Sequence, residues 1–190
     1  LAGNSLRTIL KTCTERGRHP DWKVFQDVLT QMLVGVDHAH SENVIHRDLK
    51  PENVMLVQKP DGSNRAVVMD FGLAKLAEGT GGTRFDVAMG TPDYMSPEQR
   101  QSAAEVDYRT DLFSLGAIAF EMLTGMPPTI DLSLSEEELD GMPSGLEGWI
   151  LRALKRKPAD RFSSTREMLD GLRTLESAPA SSQKEESRKP

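Results

Sequence analysis

Two short stretches contain most of the residues whose types and spacing could do chemistry. They are His46-Arg47-Asp48-Leu49-Lys50-Pro51-Glu52-Asn53 and Asp70-Phe71-Gly72. The carboxylate of Asp48 could hold a hydroxyl group and accept its proton. Asp70 offers carboxylate oxygen and Asn53 offers amide oxygen, which are the hard ligands that Mg²⁺ prefers. Lys50, two residues after Asp48, could meet negative charge that gathers beside such a metal.

A short β-hairpin is predicted between these two stretches. Apolar runs at 54–57 and 66–69 are typical of strands, and Asp61-Gly62 between them is a turn signal. Because this hairpin joins Asn53 to Asp70, we expect it to bring both candidate metal ligands to one place.

The remaining elements are predicted to be mainly helical. Apolar residues recur every three or four positions in the stretches 5–12, 22–40, 111–124, 145–155 and 164–175. The helix at 111–124 is apolar on more than one face, which indicates burial. Ser135-Glu136-Glu137-Glu138 has the pattern of a capping box and predicts a further short acidic helix. Residues 78–98 form a long loop, a feature that is usually functional in a compact domain. The predicted fold class is therefore α+β, mainly α, with one small hairpin and one long loop.

The order of these motifs resembles that of the eukaryotic-like (Hanks-type) serine/threonine protein kinases. The eight residues from His46 to Asn53 are followed by Asp-Phe-Gly, whose aspartate comes 22 positions after Asp48. Ser96-Pro97-Glu98 then stands in the place of Ala-Pro-Glu. The resemblance covers the chain from Gly3 to about Leu175, and the wording from Gly90 to Gln99 is most similar to the bacterial branch. It implies the large, mainly helical lobe of a kinase.

The resemblance also implies a function and a set of site residues. The chain would take part in the transfer of the γ-phosphate of ATP, with Mg²⁺, to Ser or Thr hydroxyls of protein substrates. The catalytic set would be Asp48, Lys50 and Thr91. The nucleotide and metal set would be Lys50, Glu52, Asn53, Met55 and Asp70, with Asn53 and Asp70 as the metal ligands.

A further group of residues would be structural by the same resemblance. They are His46, Arg47, Phe71, Gly72, Glu98, Asp111 and Arg161. His46 and Phe71 would form a stacked pair, and Asp111 would brace the catalytic loop from below. Glu98 and Arg161 would form a buried ion pair, and such a pair is costly to break from one side.

The loop from Asp70 to Glu98 would be an activation segment. Thr80 and Thr83 are its candidate phosphorylation sites. A phosphate on either residue could pair with Arg47, which precedes the catalytic aspartate, and so order the loop.

The upper half of a kinase nucleotide site is not found in these 190 residues. There is no Gly-x-Gly-x-x-Gly loop, and no lysine in an apolar strand precedes His46. We expect residues 1–175 to be the large lobe alone, starting just after the hinge, and 176–190 to be a disordered tail or linker. On its own such a lobe should bind nucleotide weakly, transfer phosphate poorly and self-associate through exposed apolar surface. The alternatives are a non-catalytic scaffold or decoy that binds substrates or another kinase, and a piece of a longer sequence.

The charge, the apolar runs and the cysteine content of the chain exclude some classes of partner and location. The formal net charge is −6, which argues against a general nucleic-acid binder. No run of about 18 apolar residues is present, so no membrane segment is expected in this chain. The single cysteine, Cys13, excludes an internal disulfide and favours a reducing, cytoplasmic compartment, with any membrane tether lying outside these residues.

Overall fold

The computed structural model describes residues 3–71, 92–101, 106–128 and 132–176. The strands are β1 Asn4–Ser5, β2 Val54–Gln58 and β3 Asn64–Val68. The helices are α1 Leu6–Glu15, α2 Trp22–Ser41, α3 Pro97–Gln101, α4 Arg109–Thr124, α5 Leu146–Ala153 and α6 Thr165–Glu176. Short 3₁₀ turns span Pro51–Asn53, Pro92–Tyr94 and Pro158–Asp160.

The predicted hairpin is confirmed, and it is part of a slightly larger sheet. Strands β2 and β3 pair antiparallel from Val54 opposite Val68 to Gln58 opposite Asn64. The sequence did not predict β1, which adds Asn4 and Ser5 to the other edge of β2. A two-residue strand has no alternation of its own, so only the contact with β2 defines it.

The core is built around α4 and α2. Helix α4 has buried residues on every face, which confirms the expectation from its apolar pattern; its fully buried side chains include Leu112, Leu115, Ile118 and Leu123. Gly116 lets α4 approach α5 closely, because a Cβ there would lie 2.5 Å from the Cβ of Ala153. This contact packs the middle of α4 against α5, and one of the expected site residues, Asp111, lies in the first turn of α4.

The helix predicted to start at Ser135 is wrong. The capping contacts do form, since Glu138 N donates to Ser135 Oγ at 3.3 Å and Ser135 N donates to a Glu138 carboxylate oxygen at 2.7 Å. The chain nevertheless makes only turns here, because Gly141 adopts a left-handed φ of +74° and Pro143 follows it. A capping pattern marks where a helix can begin, and the residues that follow it decide whether the helix continues.

Two other expectations concern the end of the chain and the long loop. The prediction placed Glu176 in the tail, but helix α6 includes it. Leu172 and Leu175 pack on the core, and this packing extends the helix one residue further than predicted. Residues 177–190 and most of the predicted activation segment, residues 72–91, lie outside the described residues. Within the described ranges, no helix is both long enough and apolar enough to cross a membrane.

Candidate active site

Asp111 at the start of α4 binds the backbone of the predicted catalytic loop. Its two carboxylate oxygens accept hydrogen bonds from His46 N and Arg47 N, each at 2.9 Å. The His40 ring adds a third contact, with Nε2 at 2.7 Å from Asp111 Oδ2. The carboxylate is fully buried, and Arg47 adopts a left-handed φ of +67°, which is unfavourable for a side chain with a Cβ. The two backbone bonds to Asp111 therefore hold the loop in a shape that it would not adopt alone.

His46 connects this loop to the end of the hairpin. Its Nδ1 accepts a hydrogen bond from Asp48 N at 3.3 Å, and its Nε2 donates to Met69 O at 2.7 Å. These two partners require the neutral ring with its proton on Nε2. The ring also lies against Phe71, with centroids 4.8 Å apart, as expected from the sequence. One side chain thus links Asp48 to the two residues that flank Asp70.

Asp48, Lys50 and Asn53 form one hydrogen-bonded group. Lys50 Nζ lies 2.8 Å from Asp48 Oδ2, and Asn53 Nδ2 lies 2.8 Å from Asp48 O and 3.3 Å from Oδ2. Among the described residues both side-chain contacts reach Oδ2, which leaves Oδ1 as the oxygen that can accept a proton. The Asp48 side chain is 54% exposed, so a substrate hydroxyl can reach it from solvent.

The hairpin places Asp70 beside Asn53. Met69 N donates to Asn53 O at 2.8 Å, which extends the β2–β3 ladder by one residue pair and brings the next residue, Asp70, to the mouth of the loop. The side-chain nitrogen of Asn53, Nδ2, donates to Asp48. The side-chain oxygen of Asn53 is therefore the atom that can bind a cation. This donor set fits Mg²⁺, which keeps several waters and substrate oxygens and needs only one or two protein ligands. The described residues contain no cluster of three or more His, Cys, Asp or Glu that could hold a metal by itself.

Arg7 is a residue of this region that the sequence did not single out. Its guanidinium donates to Glu52 Oε1 at 2.7 Å, to the Tyr94 hydroxyl and to Glu121. Glu121 lies on α4, its side chain is 2% exposed, and it also accepts a hydrogen bond from Tyr94. Burial and the Glu121 carboxylate raise the pKa of Tyr94, so the hydroxyl keeps its proton. Glu52 was expected to lie at the nucleotide, and its carboxylate instead forms an ion pair with Arg7.

Glu98 and Arg161 form the ion pair that the sequence predicted. The contact is bidentate, with N–O distances of 2.6 and 2.7 Å, and the Arg161 side chain has no exposed surface. Arg161 also donates to the backbone carbonyls of Lys155, Arg109 and Arg156, and its guanidinium lies over the Phe113 ring. The pair thus joins α3, which follows the predicted activation segment, to α4 and the turn before α6.

The ion pair should make the stability of the chain sensitive to acid. Burial raises the pKa of Glu98, but the hydrogen bonds from Arg161 and from a backbone N–H, with the positive charge of Arg161, outweigh burial and leave this pKa below its ordinary value. The unfolded chain therefore binds the proton more tightly, and the stabilisation present at neutral pH is lost as the pH falls below about 4.3. We expect the free energy of unfolding in urea to decrease in this range, and Glu98→Gln to flatten the decrease. The exposed Glu136→Gln serves as control, and equal pH profiles for the two variants would contradict the assignment.

The other predicted site residues are only partly described. Met55 lies on β2, half-buried, opposite Ser5 on one side and Val67 on the other. Thr91, Gly72, Thr80 and Thr83 lie outside the described residues.

Comparison with known proteins agrees with this geometry. The sequence pattern of the protein kinase domain matches residues 1–174. The chain is 38% identical over 152 residues to the serine/threonine-protein kinase Pkn1 of Myxococcus xanthus, covering 72% of this chain and 22% of that protein. It is 33% identical over 158 residues to the serine/threonine-protein kinase PknB of Mycobacterium tuberculosis, covering 75% and 24%. It thus spans about a quarter of the length of these relatives.

A solved structure shows the same fold. The crystal structure of the Mycobacterium tuberculosis PknI kinase domain superposes with a TM-score of 0.67 at 27% sequence identity, covering 91% of this chain and 62% of that one. The expected fold class, a mainly helical kinase lobe with a small antiparallel sheet, is confirmed by this match. With the motifs in order, the matching fold and these bacterial relatives, the chain belongs to the protein kinase domain family, among the Hanks-type serine/threonine kinases.

Proposed function

We propose that this chain forms the catalytic large lobe for the transfer of the γ-phosphate of ATP to Ser and Thr hydroxyls of proteins. The single observation that supports it most is the bonded group of Asp48, Lys50 and Asn53 with Asp70 held beside it. In this proposal Asp48 is the proton acceptor, Lys50 is the cation, and Asn53 and Asp70 supply the two oxygen ligands.

Each residue has one task in this proposal. Asp48 Oδ1 orients the substrate hydroxyl and takes its proton as the hydroxyl oxygen bonds to the γ-phosphorus and the bond to the ADP oxygen breaks. Lys50 Nζ, already 2.8 Å from Asp48, moves to the negative charge of the transferring group. Asn53 and Asp70 would hold Mg²⁺, which when bound would neutralise negative charge on the phosphate oxygens.

The remaining predicted roles complete the proposal. Thr91 shapes the substrate side, and Met55 lies under the nucleotide base. Phosphorylation of Thr80 or Thr83 orders the activation segment through Arg47. The 190 residues contain no Gly-rich loop and no strand lysine ahead of His46, so we expect them to bind nucleotide weakly and to transfer phosphate slowly by themselves.

The test adds the upper half of the nucleotide site, which these 190 residues do not contain. The small lobe of the similar PknI kinase domain is fused ahead of Leu1, and the transfer of labelled γ-phosphate to matched Ser, Thr and Tyr peptides is measured. We expect Mg²⁺-dependent labelling of the Ser and Thr peptides by the fusion and almost none by the 190 residues alone. Binding of an ADP–Mn²⁺ complex to the unfused chain is followed in parallel, by the broadening of Asn53 amide signals with Asp70→Ala as control.

One outcome would reject the proposed function, and another would reject the proposed metal site. A folded fusion that binds ATP without labelling any peptide would favour the non-catalytic scaffold. Undiminished broadening in the Asp70→Ala chain would remove the proposed metal site.

A further inference from the structure

We propose that Gln99 is a positioning residue that fixes the peptide group between Arg47 and Asp48 and so sets the direction of the Asp48 side chain. Gln99 lies on α3, just after the predicted activation segment, and 52 positions from Arg47 in sequence. The consequence for catalysis rests on the proposed function, while the positional role can be measured without it.

Both polar atoms of the Gln99 side-chain amide form hydrogen bonds. Its Nε2 donates to Arg47 O at 2.8 Å, and its Oε1 accepts from Ser96 N at 3.1 Å. The hydroxyls of Ser96 and Thr110, both on fully buried residues, also lie within hydrogen-bond distance of Oε1. Since a backbone N–H can only donate and a carbonyl can only accept, these partners fix which end of the amide faces which group.

The bond to Gln99 completes a two-sided hold on Arg47. Asp111 binds the N–H of Arg47 and Gln99 binds its C=O, while φ of Arg47 is left-handed at +67°. A peptide group is planar, so a fixed Arg47 carbonyl also fixes the N–H of Asp48, which donates to His46 Nδ1. The position of the Asp48 Cα therefore depends on both Asp111 and Gln99.

This arrangement also connects two parts of the site. Asp111 belongs to the rigid α4, but Gln99 belongs to the segment that follows the predicted activation loop. A displacement of α3 would release the Arg47 carbonyl and leave the Asp111 contacts in place. Gln99 is therefore the route by which the state of that segment reaches Asp48.

The variant Gln99→Glu separates the two ends of the side chain. It retains an oxygen for Ser96 and Thr110, but it replaces the donor to Arg47 with a charged oxygen that repels the carbonyl. Gln101→Glu, at an exposed position of the same helix, is the matched control. Gln99→Asn is a milder second variant, which retains both polar groups on a side chain too short to bridge them.

The first measurement is made on the 190-residue chain by NMR. We expect amide hydrogen exchange at Asp48 to become about tenfold faster in Gln99→Glu and the Arg47 carbonyl ¹³C signal to shift, with exchange at Arg47 and in α5 and α6 unchanged. Gln99→Asn should show the same local change, and Gln101→Glu should show none. Unchanged exchange at Asp48 and an unchanged Arg47 carbonyl signal in both Gln99 variants would overturn the proposal. A change that spreads equally to α5 and α6 would also overturn it, because it would indicate a general loss of stability.

The second measurement uses the fusion with a small lobe. We expect Gln99→Glu to lower kcat about tenfold with an unchanged KM for ATP, because Asp48 is misplaced while the nucleotide site is intact. A fall in kcat no larger than that of Gln101→Glu would contradict the catalytic consequence. If the parent fusion itself transfers no phosphate, the proposed function fails, and the exchange result still decides the role of Gln99.

Discussion

Replacing Asp48 by Asn should lower the rate of phosphoryl transfer by about 10³-fold in a protein that has both halves of the nucleotide site. Asparagine can still accept hydrogen bonds from Lys50 and Asn53, so the loop should keep its shape. It cannot take the proton of the substrate hydroxyl, and this is the step that the proposed function assigns to Asp48. The rate constant for transfer to a Ser peptide, measured with the small-lobe fusion at saturating ATP, tests this expectation.

The control for Asp48 is an aspartate away from the site. Asp140→Asn changes an exposed residue in the turn after Ser135 and should leave kcat unchanged. Equal melting temperatures for the two variants would show that Asp48→Asn acts on chemistry. If Asp48→Asn transferred phosphate within a few-fold of the parent, another group would have to accept the proton.

Arg161→Ala should cause the largest loss of stability, about 4 kcal/mol in the free energy of unfolding. The change leaves the Glu98 carboxylate, which is only 15% exposed, without its cation. It also removes the donors to three backbone carbonyls that Arg161 satisfies. Unfolding in urea can be followed by the fluorescence of Trp149, which packs against Phe162 next to this site.

A second arginine in the same part of the chain provides the comparison. Arg166 is 66% exposed and pairs with Asp37 at 3.3 Å, so Arg166→Ala should cost less than about 1 kcal/mol. Arg161→Lys keeps the charge without the bidentate geometry, so its loss in the free energy of unfolding should lie between those of Arg161→Ala and Arg166→Ala. Equal losses for Arg161→Ala and Arg166→Ala would show that burial of the ion pair does not govern its contribution.

The local features of the fold could be predicted because their signals are local. The Asp61-Gly62 turn, with Gly62 at a φ of +81°, and the apolar runs beside it specified the hairpin. The three- and four-residue spacing of apolar residues specified the long helices α2 and α4. The pattern failed at Ser135, where the capping contacts form but Gly141 and Pro143 follow, and at β1, which exists only through its partner strand.

By itself, the sequence determined which residues stand at the candidate site and in what order, because the motif from His46 to Asn53 and the hairpin to Asp70 are continuous in the chain. Only the tertiary structure decided what holds them. Arg7 meets Glu52, Tyr94 and Glu121 across 45, 87 and 114 positions, and Gln99 meets Arg47 across 52. Such partners have no periodicity or local spacing, because only the tertiary fold brings these side chains together. The physical reason is that a buried charge or carbonyl must find its partner in space, wherever that partner lies in the chain.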